Sequence, residues 1–109
     1  DGGVLALVCD STNAFVDRAS GSEGDVFDGL LQTIGDAPGR ALVTTFSSNI
    51  ARLETLGRVA VETGRQVCLA GRSIERNLKV AKATGYLRDF PEPVRYDEAM
   101  RLPRRELLI

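Results

Sequence analysis

Residues 40–73 read RALVTTFSSNIARLETLGRVAVETGRQVCLAGRS, and the order of patterns inside this stretch sets the fold class. Arg40 to Phe46 is an apolar run with β-branched residues and predicts a strand. Ser47-Ser48-Asn49 then offers N-cap side chains directly ahead of Ile50, Leu53, Leu56 and Ala60, which share one helical face. Gly64 is placed to end that helix in a left-handed conformation, and Gln66 to Ala70 supplies the next apolar strand. Gly71-Arg72-Ser73 opens a further helix with Ile74, Leu78 and Ala81 inward and Gly85 as its stop. Strand, helix, strand and helix joined by short loops imply right-handed βαβ units and parallel pairing.

Working outward, VLALVC at Val4 to Cys9, closed by Asp10, has the pattern of a strand buried on both faces. After a polar loop containing Ser20-Gly21, Ser22 precedes Asp25 by three residues, a capping box with Asp in place of Glu. Val26, Leu30 and Ile34 then repeat at helical spacing, so a helix is expected from about Glu23 to Gly35. Asp36-Ala37-Pro38-Gly39 is a turn by its chemistry. Residues 87–105 hold three irregularly spaced prolines and read as a connection with room for one short strand or turn, after which Glu106-Leu107-Leu108-Ile109 begins a fourth strand. The expected fold class is α/β, a Rossmann-like three-layer fold with a mainly parallel sheet and helices on both faces. Residues 1–109 are expected to form a single domain, with 87–105 as an irregular connection within it. The apolar run at the end reads as part of a longer protein.

With 43% hydrophobic and 27% charged residues, the composition is that of an ordinary soluble domain. The formal net charge of −1 carries no general attraction for polyanions, so any nucleic-acid contact must come from local placement of Arg and of backbone N–H groups. Cys9 and Cys68 each sit in an apolar run, without a CxxC spacing, and are expected to be reduced, buried small hydrophobes in a cytoplasmic protein. No apolar stretch approaches the roughly 20 residues of a membrane helix, so no membrane partner is expected.

The chain has no histidine, which removes His-based acid–base catalysis, a Ser-His-Asp triad and the usual His-rich zinc site from these residues. No GxGxxG follows the first predicted strand and no GxxxxGK[ST] occurs, so a nucleotide cofactor is not expected. What remains is polar residues at strand ends, where open α/β sheets gather ligands. Asp10-Ser11-Thr12-Asn13 places a carboxylate, two hydroxyls and an amide after the first predicted strand; the plain alternative is a turn in which Asp10 accepts from following N–H groups. Ser47, Ser48 and Asn49 are either a helix cap alone or a helix start whose N–H groups also hold a phosphate. Arg72, beside Ser73, is either a surface charge or a bidentate donor aimed at the same groove.

The phrases LVCDSTNAF (7–15), GSEGDV (21–26), GRALVTTFSSNIARL (39–53) and GRQVCLAGRSIERNLKVAKATGYL (64–87), in this order and spacing, resemble the β-CASP region of the ribonuclease J family over nearly the whole chain. The resemblance implies a β-CASP domain inserted into a metallo-β-lactamase domain of the same parent chain, with RNA passing between the two. The parent is then a cytoplasmic, homo-oligomeric ribonuclease with 5′→3′ exonuclease and endonuclease activity and two zinc ions, RNA as its partner, and no membrane. Asp10 matches the acidic residue of the family's motif A, beside a zinc-binding histidine in relatives. Ser11, Thr12 and Asn13 match the positions after it. The histidine-rich zinc motifs are missing from these residues, so no cofactor is expected in this chain and no RNA cleavage by it alone. Asp17-Arg18-Ala19-Ser20 departs from the Pro and Gly common in relatives. Two other classes stay open: a stand-alone Rossmann-like module binding a small anionic ligand, and a structural or dimerising domain.

Overall fold

A computed structural model of the chain describes residues 2–11, 14–17, 19 and 21–109. It has α/β architecture, with helices packed on a small parallel sheet. The elements are α1 (Glu23–Asp36), α2 (Ile50–Glu62), β1 (Gln66–Val67), α3 (Arg72–Ala83), α4 (Tyr96–Ala99), a 3₁₀ turn (Arg104–Glu106) and β2 (Leu107–Leu108).

The helix signals act where the residues place them. Ser22 and Asp25 form the reciprocal capping box: the Asp25 N–H donates to Ser22 Oγ at 3.2 Å and the Ser22 N–H donates to Asp25 Oδ2 at 2.7 Å. Asn49 caps α2, its Oδ1 accepting from the Arg52 N–H at 3.0 Å. Both α2 and α3 end in a Schellman motif, because Gly64 (φ 66°) and Gly85 (φ 91°) enter the left-handed region open to a residue without Cβ. In each motif the next residue closes the longer loop, the Arg65 N–H onto Ala60 O and the Tyr86 N–H onto Ala81 O, both at 2.8 Å.

β1 and β2 pair in parallel, Gln66 opposite Leu107 and Val67 opposite Leu108. Ala41 bridges Leu108 from the other side, and the Val43 N–H donates to Ile109 O at 2.8 Å. The last strand in the sequence is therefore central, between 41–43 and 66–68. Successive residues alternate sides, as the period of two requires. Val67 and Leu108 join Ile34, Leu53, Val59, Ala60 and Leu78 in the larger core cluster. Cys68 and Leu107 join Ala99, flanked by Val94, Met100, Leu102 and Ile109, in the smaller one.

Three expectations are corrected. Residues 4–9 form no strand: Val4, Leu5, Leu7 and Val8 are 81–102% exposed, and Cys9 is exposed rather than buried. An apolar run becomes a strand only when a neighbouring edge pairs its backbone and other layers cover it, and here neither is supplied. The strand expected over 40–46 pairs only at 41–43; Leu42 within that segment and Phe46 beyond it are exposed. Within 87–105 the short element is the helix α4 rather than a strand, although Val94 does donate its N–H to Val67 O at 2.8 Å.

A buried arginine fastens the helices to the sheet. Arg65, 6% exposed, donates through Nη1 to Gly39 O (2.8 Å) and Leu107 O (3.3 Å). Its Nη2 donates to Ile34 O (2.9 Å) and Ala37 O (2.7 Å). One guanidinium thus ties the carbonyl end of α1, where positive charge is favoured, to the 37–39 turn and the central strand. Across the other end of the α1–α2 pair, the Glu23 carboxylate accepts from Arg52 Nε at 2.7 Å and from the hydroxyl of buried Thr55 at 2.8 Å. Arg52 and then Thr55 hold the Glu23 carboxyl below its ordinary pKa. The Arg58 guanidinium lies 4.5 Å from the centroid of the Phe27 ring, a further contact between these helices.

Candidate functional site

The parallel sheet brings two of the three predicted loops together. Ser47, after the 41–43 segment, and Gly71, Arg72 and Ser73, after β1, line one cavity of about 420 Å³ at the carboxyl ends of the strands. Thr44 and Thr45 line it too, and Leu53, Leu56 and Ile74 form apolar wall. This is where the crossover rule puts ligands in an open parallel sheet.

The polar residues around the cavity differ in what they can offer. Gly71 precedes α3 and has no side chain to cap it, and the first intrahelical bond runs from the Glu75 N–H to Gly71 O at 3.2 Å. The N–H groups of residues 72–74 therefore precede the helical ladder, at the positive end of the helix dipole. Arg72 and Ser73 are exposed, so a guanidinium and a hydroxyl stand beside those donors. Ser47 is half-buried, and its carbonyl accepts from Asn77 Nδ2 at 2.7 Å, which ties the loop before α2 to α3. Ser48 lies on the far side of that turn, on a second cavity of about 420 Å³ with Ile50, Val80 and Tyr86. Asn49 commits its Oδ1 to capping α2.

The third predicted loop stands apart. Asp10 and Ser11 are exposed and line neither cavity, while the Ser11 carbonyl accepts from the Ala14 N–H at 3.0 Å in a turn. Thr12 and Asn13 lie outside the described residues, as do Arg18 and Ser20 of the neighbouring loops. Among the described residues no three of Cys, Asp and Glu come together as metal ligands. Cys68 lines the first cavity but is itself 1% exposed, and burial, with a lesser contribution from the Glu75 charge, pushes its thiol pKa up, away from a reactive thiolate. No helix among the described residues is long and apolar enough to cross a membrane.

Two residues that organise this region were not singled out from the sequence. Arg65 reads as a surface charge after a helix-stopping Gly; its signal is a cation at a position where Schellman motifs usually carry an apolar residue. Asn77, in mid-helix, gave no signal, since its partner is a backbone carbonyl 30 residues earlier.

Residues 38–109 match the family described as Ribonuclease J, beta-CASP domain. Among curated proteins, Ribonuclease J of Sinorhizobium meliloti is 41% identical over 107 residues, 98% of this chain and 19% of that protein. Ribonuclease J of Corynebacterium glutamicum is 39% identical over 112 residues (100% of this chain, 16% of that protein). Ribonuclease J of Thermus thermophilus is 37% identical over 107 residues (98% and 19%). The chain thus spans less than a fifth of the length of these relatives.

Proposed function

Because this chain belongs to the ribonuclease J β-CASP domain family, we propose that it is the RNA-handling domain of a longer, zinc-dependent ribonuclease with 5′→3′ exonuclease and endonuclease activity, and does not cut RNA by itself. The observation that carries the reading is the meeting of Ser47 with Gly71, Arg72 and Ser73 on one cavity at the carboxyl ends of parallel strands. Open donors, a hydroxyl and an exposed guanidinium converge there, a set suited to a phosphate oxygen. In this reading residues 1–109 are one domain of three-layer, Rossmann-like type, packed on a metallo-β-lactamase domain of the same chain in a cytoplasmic homo-oligomer.

The described residues do not fit a zinc site: there is no histidine, Cys9 and Cys68 differ in burial, and the carboxylates do not cluster. The two zinc ions of such an enzyme would be held by residues outside this set, where they would supply an activated water. The work of this chain is binding and positioning. Arg72, Ser73 and the 72–74 N–H groups hold a phosphate, and Ser47, Ser48 and Asn49 shape the adjoining turn. Asp10 has the catalytic role of a carboxylate that would orient a zinc-binding histidine outside these residues, with Ser11, Thr12 and Asn13 beside it on the RNA path.

The test uses the full-length protein. Arg72→Ala should weaken binding of single-stranded RNA and flatten its salt dependence by a slope of roughly 0.7, the share of one phosphate contact on a single strand. An unchanged slope returns Arg72 to the solvated surface. Inorganic phosphate bound as tightly as RNA would instead favour a small anionic ligand.

A further inference from the structure

The second cavity lies one turn away from the first. It runs between the start of α2 and the outer side of α3, with Ile50, Val80 and Ala81 as apolar floor and Ser48 and Tyr86 at its margins. The two cavities share a wall, since Ser47 lines the first, Ser48 lines the second, and Asn77 of the second holds the Ser47 carbonyl.

Tyr86 is 66% exposed although its backbone is held in place. Its N–H closes the Schellman motif of α3 onto Ala81 O, and the next residue, Leu87, takes φ 51° and is buried. Positive φ is uncommon for a bulky L-residue. The chain therefore turns Leu87 into the core and leaves the Tyr86 ring at the groove, on a short rigid connection.

Charge runs alongside. Arg72, Arg76 and Lys79 recur at i, i+4 and i+7, all exposed, on the face of α3 opposite buried Leu78 and Ala81. Among the described residues none of the three has a carboxylate within ion-pair distance, whereas Lys82, nearer the helix end, pairs with Glu92 at 3.1 Å. Arg76 is one turn before Val80 and so flanks the groove, while Arg72 stands at the first cavity. An exposed aromatic residue at the margin of an apolar floor, beside a row of cations without ion-pair partners among the described residues, is the combination that holds unstacked bases and their phosphates.

We propose that the second cavity is a base-stacking subsite for single-stranded RNA, with Tyr86 as the stacking platform and Arg76 on the adjoining phosphate; the assignment rests on the RNA-binding reading of the first cavity. A strand entering from the first cavity crosses the Ser47-Ser48 turn and sets its next base on Tyr86. The partner is polyanionic and carries planar bases, which the cation row and the ring match together.

The experiment is equilibrium binding of a fluorescently labelled oligoadenylate, and of an abasic strand of equal length, to the full-length protein under conditions without turnover. Tyr86→Ala should weaken oligoadenylate binding about tenfold or more, and Tyr86→Phe should keep the affinity. The abasic strand should not distinguish Tyr86→Ala from the parent. Arg76→Ala should lower the salt slope on both strands by roughly 0.7. Unchanged oligoadenylate affinity in Tyr86→Ala, while Arg72→Ala still weakens binding, overturns the stacking subsite and leaves the first cavity standing. If neither variant weakens binding, both assignments fall. Equal loss on the abasic strand, or a matching drop in thermal stability, also overturns the subsite, because the ring then packs against protein.

Discussion

Replacing Arg65 tests the packing argument most severely, because its guanidinium hydrogen-bonds α1, the 37–39 turn and the central strand at once. Of its four carbonyl partners, two keep another donor when it is removed. Ile34 O still accepts from the Ala37 N–H at 3.3 Å and Leu107 O from the Ala41 N–H at 3.1 Å. Ala37 O and Gly39 O, both in partly buried bonds, lose their Arg65 donors with no other donor among the described residues to replace them. Leaving a buried acceptor unmet costs about 1–3 kcal/mol, so Arg65→Met, which preserves the apolar stem, should destabilise the 109-residue chain by about 3 kcal/mol. That is a large part of the ~5–15 kcal/mol typical of a domain, and for this size it lowers Tm by roughly 10–20 °C. Arg65→Lys should lose nearly as much, because three donors on one nitrogen cannot span carbonyls served by two separate Nη atoms. Thermal unfolding followed by circular dichroism reads all three proteins. An Arg65→Met melting point within roughly 3 °C of the parent would refute the account and make the arginine a spectator.

Three further outcomes follow from contacts already described. Gly57 lies inside α2 where an added Cβ would meet the buried Phe90 ring at 2.6 Å and Pro91 at 3.2 Å. Gly57→Ala should therefore destabilise by about 1–2 kcal/mol in urea unfolding, overpacking outweighing the gain in helix propensity, and a stabilised variant would show that Phe90 yields freely. Thiol titration of the native chain should show one fast equivalent, exposed Cys9, and a second, buried Cys68, only on unfolding; two fast thiols would contradict the smaller core cluster. Glu23 titrates below its ordinary value because of Arg52 and Thr55, so its contribution is present above the unfolded pKa of about 4.3 and lost as pH falls through the lower folded value; Glu23→Gln should lower Tm at neutral pH and lose less than the parent on acidification below about pH 4, and parallel curves would count against the pair.

What could be read from the sequence was whatever depends on neighbours in the chain. The capping box at Ser22 and Asp25 and the glycine stops at 64 and 85 are local geometry and act at their expected residues, and of the three cap candidates Ser47, Ser48 and Asn49 it is Asn49 that caps α2. Strands depend on partners, and there the reading divided. VLALVC at 4–9 is the more uniformly apolar run, yet it is exposed, while Leu107 and Leu108 of ELLI at 106–109 supply the central strand. Periodicity reports that a run is suited to burial, not which edge will bury it. The cavity at Ser47 and Arg72 was legible because the crossover rule places loops without needing strand lengths. The second cavity was not, since Ser48, Asn77 and Tyr86 meet only through the docking of α3 on the start of α2.

That docking also determines how the two cavities should behave. The Ser47 carbonyl is held by Asn77, and Asn77 lies on the same helix that carries Arg72 at its first turn and, one Schellman motif beyond its end, Tyr86. A displacement of the 47–48 turn therefore shifts both cavities relative to the same rigid helix, and a strand seated in one constrains the other. Substitutions at Arg72 and Tyr86 should consequently be non-additive in RNA affinity, as expected of groups sharing one bound strand and one support. Asn77→Ala, which removes the tie to the Ser47 carbonyl from a residue on the wall of the second cavity, should weaken the coupling between them while leaving the Asn49 cap of α2 in place. Additive effects of Arg72→Ala and Tyr86→Ala, unchanged by Asn77→Ala, would instead describe two independent patches that happen to be neighbours.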